Sequence, residues 1–358
     1  MKSLLVYCTR LMPRGGIESH VLQFCEIMSD QGVAIDLVIL DCKLDESDRL
    51  KMQQVCRKVY TNTIRSKLSK IIWLIKIFFL LSAKSYASVY TNGQGETIYF
   101  FGKFFQLKNK WVHHHHTSGD EVDRRTWTTR YRTVFNSANA MIACSNKNAE
   151  LLSNFVGREV ITIPCFSRRI VKINKKKASL KSKIIFGYYG RLIPEKGIEL
   201  LCQLSEDSRL LGCEFHIWGV PTQFDELFFA QFENVKYHGA FNGCKELEGV
   251  VNYIDVFLLL SVHPEGLPIS LLEVTSSGTP WIASDRGGVS DIIVDSDFTI
   301  LLSSSPSYDE AVEAIISLEY KLREEQTFSS KLVELYDQKF SEGAITKQWL
   351  SALRLNLD

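Results

Sequence analysis

Glu265 and Glu273 stand eight residues apart, with Gly266-Leu267-Pro268-Ile269 between them. The run before them, 256–261, is apolar up to its terminal serine and reads as a strand buried on both faces. Pro268 fits the first turn of a helix, so the stretch is a strand-loop-helix unit. Glu265 then lies in the loop and Glu273 about a turn and a half into the helix. Such a loop aims backbone N–H groups and the positive end of a helix into a crevice, where two carboxylates accept from hydroxyl groups. The combination suits a phosphorylated polyol. A capped helix with two solvated acids is the alternative reading of the same residues.

A second group of charges follows the expected strand 184–190, in Arg191-Leu192-Ile193-Pro194-Glu195-Lys196-Gly197. Arg191 and Lys196 lie at opposite ends of one turn, so both can converge on a diphosphate and stabilise charge that builds on a departing phosphate. Near the N-terminus, Gly15-Gly16 precedes a helix expected from Ile17 to about Asp30. Paired glycines let the backbone approach a ligand, and the helix end favours an anion, although the pattern is neither G-x-G-x-x-G nor a Walker loop. The run His113-His114-His115-His116 invites a metal reading. Adjacent strand residues point to opposite faces and cannot all reach one ion, so no metal site is expected.

The elements that must position these residues alternate strand and helix in both halves, the pattern of doubly wound α/β domains. At 358 residues the chain is long for one core, and two domains are expected. The boundary falls where Arg168, Arg169, Lys172, Lys175, Lys176, Lys177, Lys181 and Lys183 crowd an acid-free stretch, the look of a solvated linker. The domains are therefore 1–167 and 184–341, joined by a basic linker at 168–183 and followed by a terminal helical segment at 342–358. The net charge of +1 names no partner and gives no reason to expect nucleic acid. Nine cysteines without a C-x-x-C pair, and an N-terminus unlike a signal peptide, point to a cytosolic chain with reduced thiols. The longest apolar segment, 71–81, is about half of what spans a bilayer and carries Lys76. It lies in a stretch, 49–95, that has no acidic residue and many basic ones. An interfacial membrane helix and a buried core helix ringed by solvated lysines both fit.

The Glu265–Glu273 stretch, continued through Ser277-Gly278-Thr279-Pro280 and Gly287-Gly288-Val289-Ser290-Asp291-Ile292-Ile293, resembles the signature of the retaining nucleotide-sugar glycosyltransferases of family 4. Gly190-Arg191 with Lys196-Gly197 resembles a second hallmark of that family, and 15–23 is similar to the N-terminal loop and helix of its bacterial mannosyl- and glucosyltransferases. The resemblance implies an α/β protein of GT-B fold, with two Rossmann-like doubly wound domains facing a central cleft and the last helix crossing back to the first domain. It implies that Glu273 holds the ribose, that Arg191 and Lys196 hold the diphosphate with Gly16 against it, and that Glu265 with the backbone of Gly266, Leu267, Pro268 and Ile269, proline offering no N–H, grips the sugar. It places Glu18, His20 and Asp120 on the acceptor side. His116, followed by Thr117-Ser118, takes the place of a strand-end histidine beside the transferred sugar, with His114 or His115 as alternatives in register; an ordinary helix-surface residue is the alternative for His20.

The reaction so implied is transfer of a hexose or N-acetylhexosamine from a nucleotide diphosphate sugar, a UDP-sugar by preference, to a glycan hydroxyl. The acceptor is expected to be lipid-linked, at the inner face of a bacterial membrane, in lipopolysaccharide or capsule assembly. The implied course is front-face substitution, in which the leaving diphosphate takes the acceptor proton and no cofactor or divalent ion is needed. A nucleotide-sugar epimerase of the same architecture and a catalytically silent sugar-nucleotide-binding protein are the rival readings.

Overall fold

A computed structural model describes residues 2–12, 15–62, 66–173, 183–241, 243–294, 298–324 and 329–355. The chain forms two compact units, Met1–Phe166 with Glu342–Asp358, and Ser167–Ser341.

In the first unit, β1 (Ser3–Leu11), β2 (Ala34–Cys42), β3 (Lys58–Thr61), β4 (Ser88–Asn92), β5 (Lys110–His115), β6 (Ala140–Ala143) and β7 (Ile161–Thr162) make one parallel sheet. Their order is β3-β2-β1-β4-β5-β6-β7. Alternation sends Leu4, Val6 and Cys8 of β1 into one core and Leu5 and Tyr7 into the core on the opposite face. Both faces are thus covered, which is why the strand is apolar from Leu4 to Cys8. The helix Glu342–Ala352 adds Ile345 and Trp349 to the core that holds Leu4 and Val6. Hydrogen bonds fasten its end, from Ser88 Oγ to the Leu353 carbonyl at 2.6 Å and from Lys110 Nζ to the Ala352 carbonyl at 2.7 Å.

The second unit repeats the plan with β8 (Ile184–Tyr189), β9 (Cys213–Trp218), β10 (Val235–Tyr237), β11 (Val256–Leu259), β12 (Trp281–Ser284) and β13 (Thr299–Leu302). Their order, β10-β9-β8-β11-β12-β13, is that of a complete Rossmann sheet with its reversal between β8 and β11. In the first sheet the reversal falls between β1 and β4. The carboxyl ends of those strand pairs are the crevices where such sheets take ligands.

Two expectations change here. The solvated linker does not begin at 168, because Ile170 is buried, its N–H donates to Ser276 Oγ at 2.8 Å, and Lys172 is buried as well. The Lys172 ammonium donates to the Ile254 carbonyl at 2.9 Å and to Thr279 Oγ1 at 3.1 Å, so its stem covers apolar surface while its charge meets buried oxygens. Lys175, Lys176, Lys177 and Lys181 lie outside the described residues. The apolar helix runs Lys67–Ser82 and is only in part a core helix. Ile77 and Leu81 are buried, whereas Leu68, Ile71, Ile72, Ile75, Phe79 and Leu80 are exposed. Phe78 stacks on Phe104, itself exposed, at 4.7 Å. Among the described residues no helix is long and apolar enough to cross a membrane.

Candidate functional site

In the second unit three loops meet at Glu265, two at its carboxylate and one at its backbone. The first leaves β8 through Gly190 to the exposed Arg191, whose carbonyl accepts from Tyr188 Oη at 2.9 Å. A 3-10 turn, Pro194–Lys196, follows, and Gly197 ends it at φ +74° against the backbone of Leu260. The second loop leaves β11 and is stitched to the first. The Glu195 carbonyl accepts from Val262 N at 2.8 Å, from His263 N at 3.1 Å and from Ser261 Oγ at 3.1 Å. This stitching carries Lys196 to Glu265, where its ammonium donates to Oε1. Ser261 Oγ donates to the same oxygen at 2.7 Å. The third loop follows β12. A Cβ on Gly287 would lie 1.8 Å from the Glu265 carbonyl oxygen, and Gly288 N donates to the Gly266 carbonyl at 2.8 Å. With φ at +54° as well, position 287 admits glycine alone.

Electrostatics follows from this packing. Burial pushes the Glu265 carboxyl up, but the charge and hydrogen bond of Lys196, then His263 and Ser261, bring it below its ordinary value, so it is ionised. Burial holds His263 below the usual imidazole range, and its Nδ1 is buried without a hydrogen-bond partner. His263 feels Glu265, Lys196 and Arg191 together, and Tyr188 feels both Glu265 and Arg191, which puts these groups in one neighbourhood. Glu273 lies on the helix Ile269–Ser276, buried, with the Tyr189 hydroxyl 3.0 Å from its Oε2 and 3.0 Å from the Ser270 carbonyl. Burial lifts it to about 7 against the opposing effects of Tyr189 and Arg168.

Pro268 is the N-cap of that helix, not a residue of its first turn, and no side chain caps the amides there. Ser277 and Thr279 do other work. Their hydroxyls are 2.7 Å apart, and Thr279 receives Lys172, so this part of the family-like stretch anchors the chain before β12.

In the first unit Gly16 opens the helix Gly16–Asp30, with Gly15 as its N-cap and no side-chain cap. Glu18 turns back to accept from Met12 N at 2.6 Å and so shapes the loop. His20 lies neither on the helix surface nor on an acceptor face: it is fully buried, Phe166 N donates to its Nδ1 at 3.1 Å, and its Nε2 meets Tyr90 Oη at 3.1 Å. With both ring nitrogens engaged and burial lowering it to about 4, it is a neutral core histidine. Asp120 caps the helix Glu121–Arg125 by accepting from Asp123 N at 2.9 Å, a task that uses the carboxylate locally. Of the four histidines, His113, His114 and His115 are fully buried and His116 is half-buried, so His116 is the one nearest solvent. The loop after it is fixed by Asp123, a residue to which sequence reasoning attached no role. That carboxylate meets His115 Nε2 at 3.1 Å, Thr117 Oγ1 at 2.5 Å and Gly119 N at 3.0 Å. The sequence reading likewise passed over Ser261, His263 and Tyr189. The local signal for the first two was their place at a strand end beside Glu265.

Residues 170–330 match the family described as glycosyl transferases group 1. A curated relative, the poly(ribitol-phosphate) alpha-N-acetylglucosaminyltransferase of Staphylococcus aureus strain COL, is 25% identical over 251 residues, 66% of this chain and 48% of the relative. The chain thus spans about half the length of that relative. Among solved structures, Anabaena HepE in complex with UDP and glucose superposes with a TM-score of 0.76 at 16% identity, covering 98% of this chain and 99% of HepE. The lipopolysaccharide outer core galactosyltransferase WaaB, in its apo form, does so with a TM-score of 0.73 at 16% identity, covering 99% of this chain and 100% of WaaB. The fold is the GT-B type, with two Rossmann-like α/β domains.

Proposed function

We propose that the chain is a retaining glycosyltransferase that moves a hexose or N-acetylhexosamine from a nucleotide diphosphate sugar to a hydroxyl of a lipid-linked glycan. The setting is bacterial cell-surface polysaccharide assembly, such as lipopolysaccharide or capsule, and the donor is a UDP-sugar. The observation that carries this reading is the Lys196–Glu265 pair held where three loops meet at Glu265, at the topological switch point of the second sheet. The match of 170–330 to group 1 glycosyl transferases and the UDP held by HepE support it.

In this scheme Lys196 and Arg191 bind the diphosphate and offset the charge it gains as the bond to the sugar breaks. Glu265 orients the Lys196 ammonium, whose other protons face phosphate oxygens, and accepts from a sugar hydroxyl. The amide end of Ile269–Ser276 faces anionic oxygen, and Glu273 accepts from the ribose. Gly16 backs the diphosphate, His116 lies beside the sugar, and Glu18 and Asp120 border the acceptor. The leaving phosphate takes the acceptor proton on the attacked face, with no cofactor or divalent ion in the scheme. The exposed apolar face of Lys67–Ser82, with Lys70 and Lys76 on the same helix, rests on an anionic inner membrane surface as a peripheral contact.

The test is turnover of the purified chain with UDP-glucose, UDP-galactose and UDP-N-acetylglucosamine and a lipid-linked acceptor. UDP should appear only with acceptor, and NMR of the product should show the donor's anomeric configuration. Inversion refutes the retaining course, and conversion of the donor without acceptor marks an epimerase instead.

A further inference from the structure

His114 and His116 are two residues apart at the end of β5 and so point to the same face. Cys144 follows β6 directly, and Cys165 lies just beyond β7. Cys144 Sγ is 3.3 Å from His114 Nε2, 3.7 Å from His116 Nδ1 and 3.5 Å from Cys165 Sγ, and Cys165 Sγ is 3.4 Å from His116 Nδ1. All four ligand atoms lie within 4.8 Å of one another. A tetrahedral zinc ion, with Zn–S about 2.3 Å and Zn–N about 2.0–2.1 Å, needs S···S edges of about 3.8 Å and S···N edges of about 3.5 Å. These four distances are already within a few tenths of an ångström of that frame, and the two remaining edges, from His114 Nε2 to Cys165 Sγ and to His116 Nδ1, lie within 4.8 Å.

We propose that His114, His116, Cys144 and Cys165 form a structural zinc site that clamps the ends of three neighbouring strands. Two thiolates and two imidazoles in a tetrahedron select zinc over hard cations, and four protein ligands make the site closed. His114, Cys144 and Cys165 are buried, which suits a structural ion.

For His114 the surroundings supply the outer hydrogen bond that a metal-bound histidine needs. His114 Nδ1 is 2.9 Å from Tyr90 Oη, which also meets His20 Nε2 at 3.1 Å and the Asn92 amide at 3.1 Å. Asn92 Oδ1 has no hydrogen-bond partner. With the Asn92 amide turned so that Oδ1 accepts from the Tyr90 hydroxyl, Tyr90 Oη accepts from both His20 Nε2–H and His114 Nδ1–H. The His114 Nε2 lone pair then faces the sulfurs. Ligation through His116 Nδ1 leaves its ring proton on Nε2, the His116 atom that is buried without a partner. The site stands on first-unit geometry alone; it shares His116 with the transferase reading, and its metal content is read without turnover.

The full chain, purified with zinc and dialysed, should hold roughly one zinc per chain by mass spectrometry. Exchange to cobalt should give thiolate charge-transfer absorption with tetrahedral d–d bands. The Cys144→Ser, Cys165→Ser double variant should lose the charge-transfer band and the metal. Tyr90→Phe, a milder change behind His114, should weaken zinc about 10–100-fold while keeping the fold. Zinc should also shield both thiols of the unaltered chain from alkylation, a readout that needs no variant. Metal-free protein after zinc loading, cobalt spectra without thiolate bands, unchanged zinc content in the double variant, or a Cys144–Cys165 disulfide that zinc does not prevent would each overturn the proposal.

Discussion

Lys196→Met keeps the length of the side chain and removes its charge, so it separates what the Lys196–Glu265 pair does for the fold from what it does for a ligand. The two side chains are 12% and 11% exposed, so the carboxylate cannot simply turn to water when its cation is lost. Breaking a buried pair from one side costs about 3–5 kcal/mol, and the Ser261 hydroxyl bond to Glu265 Oε1 argues for the lower end. For a unit of this size about 1 kcal/mol moves Tm by about 2–4 °C, so calorimetry should show a fall of about 6–12 °C. Glu265→Gln leaves a compact ammonium beside a neutral amide and should cost about 1–3 kcal/mol. Combining the two removes both charges and should recover most of the stability, to within about 1 kcal/mol of the Glu265→Gln chain. Rate should behave differently. Losing a cation that stabilises the leaving diphosphate should lower sugar transfer about 100–1,000-fold, and the double variant should stay as slow. A double variant that regains turnover, or a Lys196→Met chain that melts and turns over like the unaltered one, refutes the idea that this pair is both a structural contact and the diphosphate clamp.

Glu273 has a folded value of about 7 against an ordinary 4.5, so the native unit holds its proton more tightly than the unfolded chain. That stability is fully present below about 4.5 and is lost as pH rises through about 7, at most about 3 kcal/mol in all. Melting from pH 5 to 8 should show the decline, and Glu273→Gln should flatten it; an unchanged slope in the variant excludes Glu273 as its source. Gly287→Ala drives a methyl into the Glu265 carbonyl and should raise the UDP-sugar dissociation constant at least about 10-fold by shifting the loop, which titration calorimetry reads. Phe79 is 76% exposed, so Ile75→Asp with Phe79→Asp should leave Tm within about 2 °C yet abolish cosedimentation with anionic vesicles; retained binding removes the membrane role of this helix.

Much of this arrangement was legible because it is local. The strand-loop-helix around Glu265 lies within the single stretch 256–276 and the turn from Arg191 to Lys196 within 191–196, and buried parallel strands announce themselves by continuous apolar runs. The meeting of the two stretches was expected from the family resemblance; the means were not. Nothing in the local pattern says that the Glu195 carbonyl gathers three donors from the loop after β11, or that Gly287 must lie on the Glu265 backbone. These are long-range contacts set by strand order. Lys172 was misread for a related reason: a lysine in a basic run is solvated unless a distant carbonyl and hydroxyl wait for it, as those of Ile254 and Thr279 do. Asp120 was a local signal passed over, an acid directly before a helix whose third residue supplies the N–H.

The histidine run shows where a correct rule was asked the wrong question. Strand alternation does forbid four consecutive histidines from sharing an ion, and the structure obeys it: His113 and His115 both point to Tyr131 on one face, at 3.0 and 2.9 Å. The same alternation puts His114 and His116 together on the other face. What completes their set is not nearby in sequence but adjacent in the sheet, since β5 pairs with β6 and β6 with β7, each followed by a cysteine. A spacing rule for metal sites searches along the chain and finds nothing in Cys144 and Cys165, twenty-one residues apart. A parallel sheet converts that distance into one strand spacing per crossover, so ligands can be collected at successive strand ends. In doubly wound proteins, histidines or cysteines that end consecutive strands should therefore be compared across strand order as well as along the sequence.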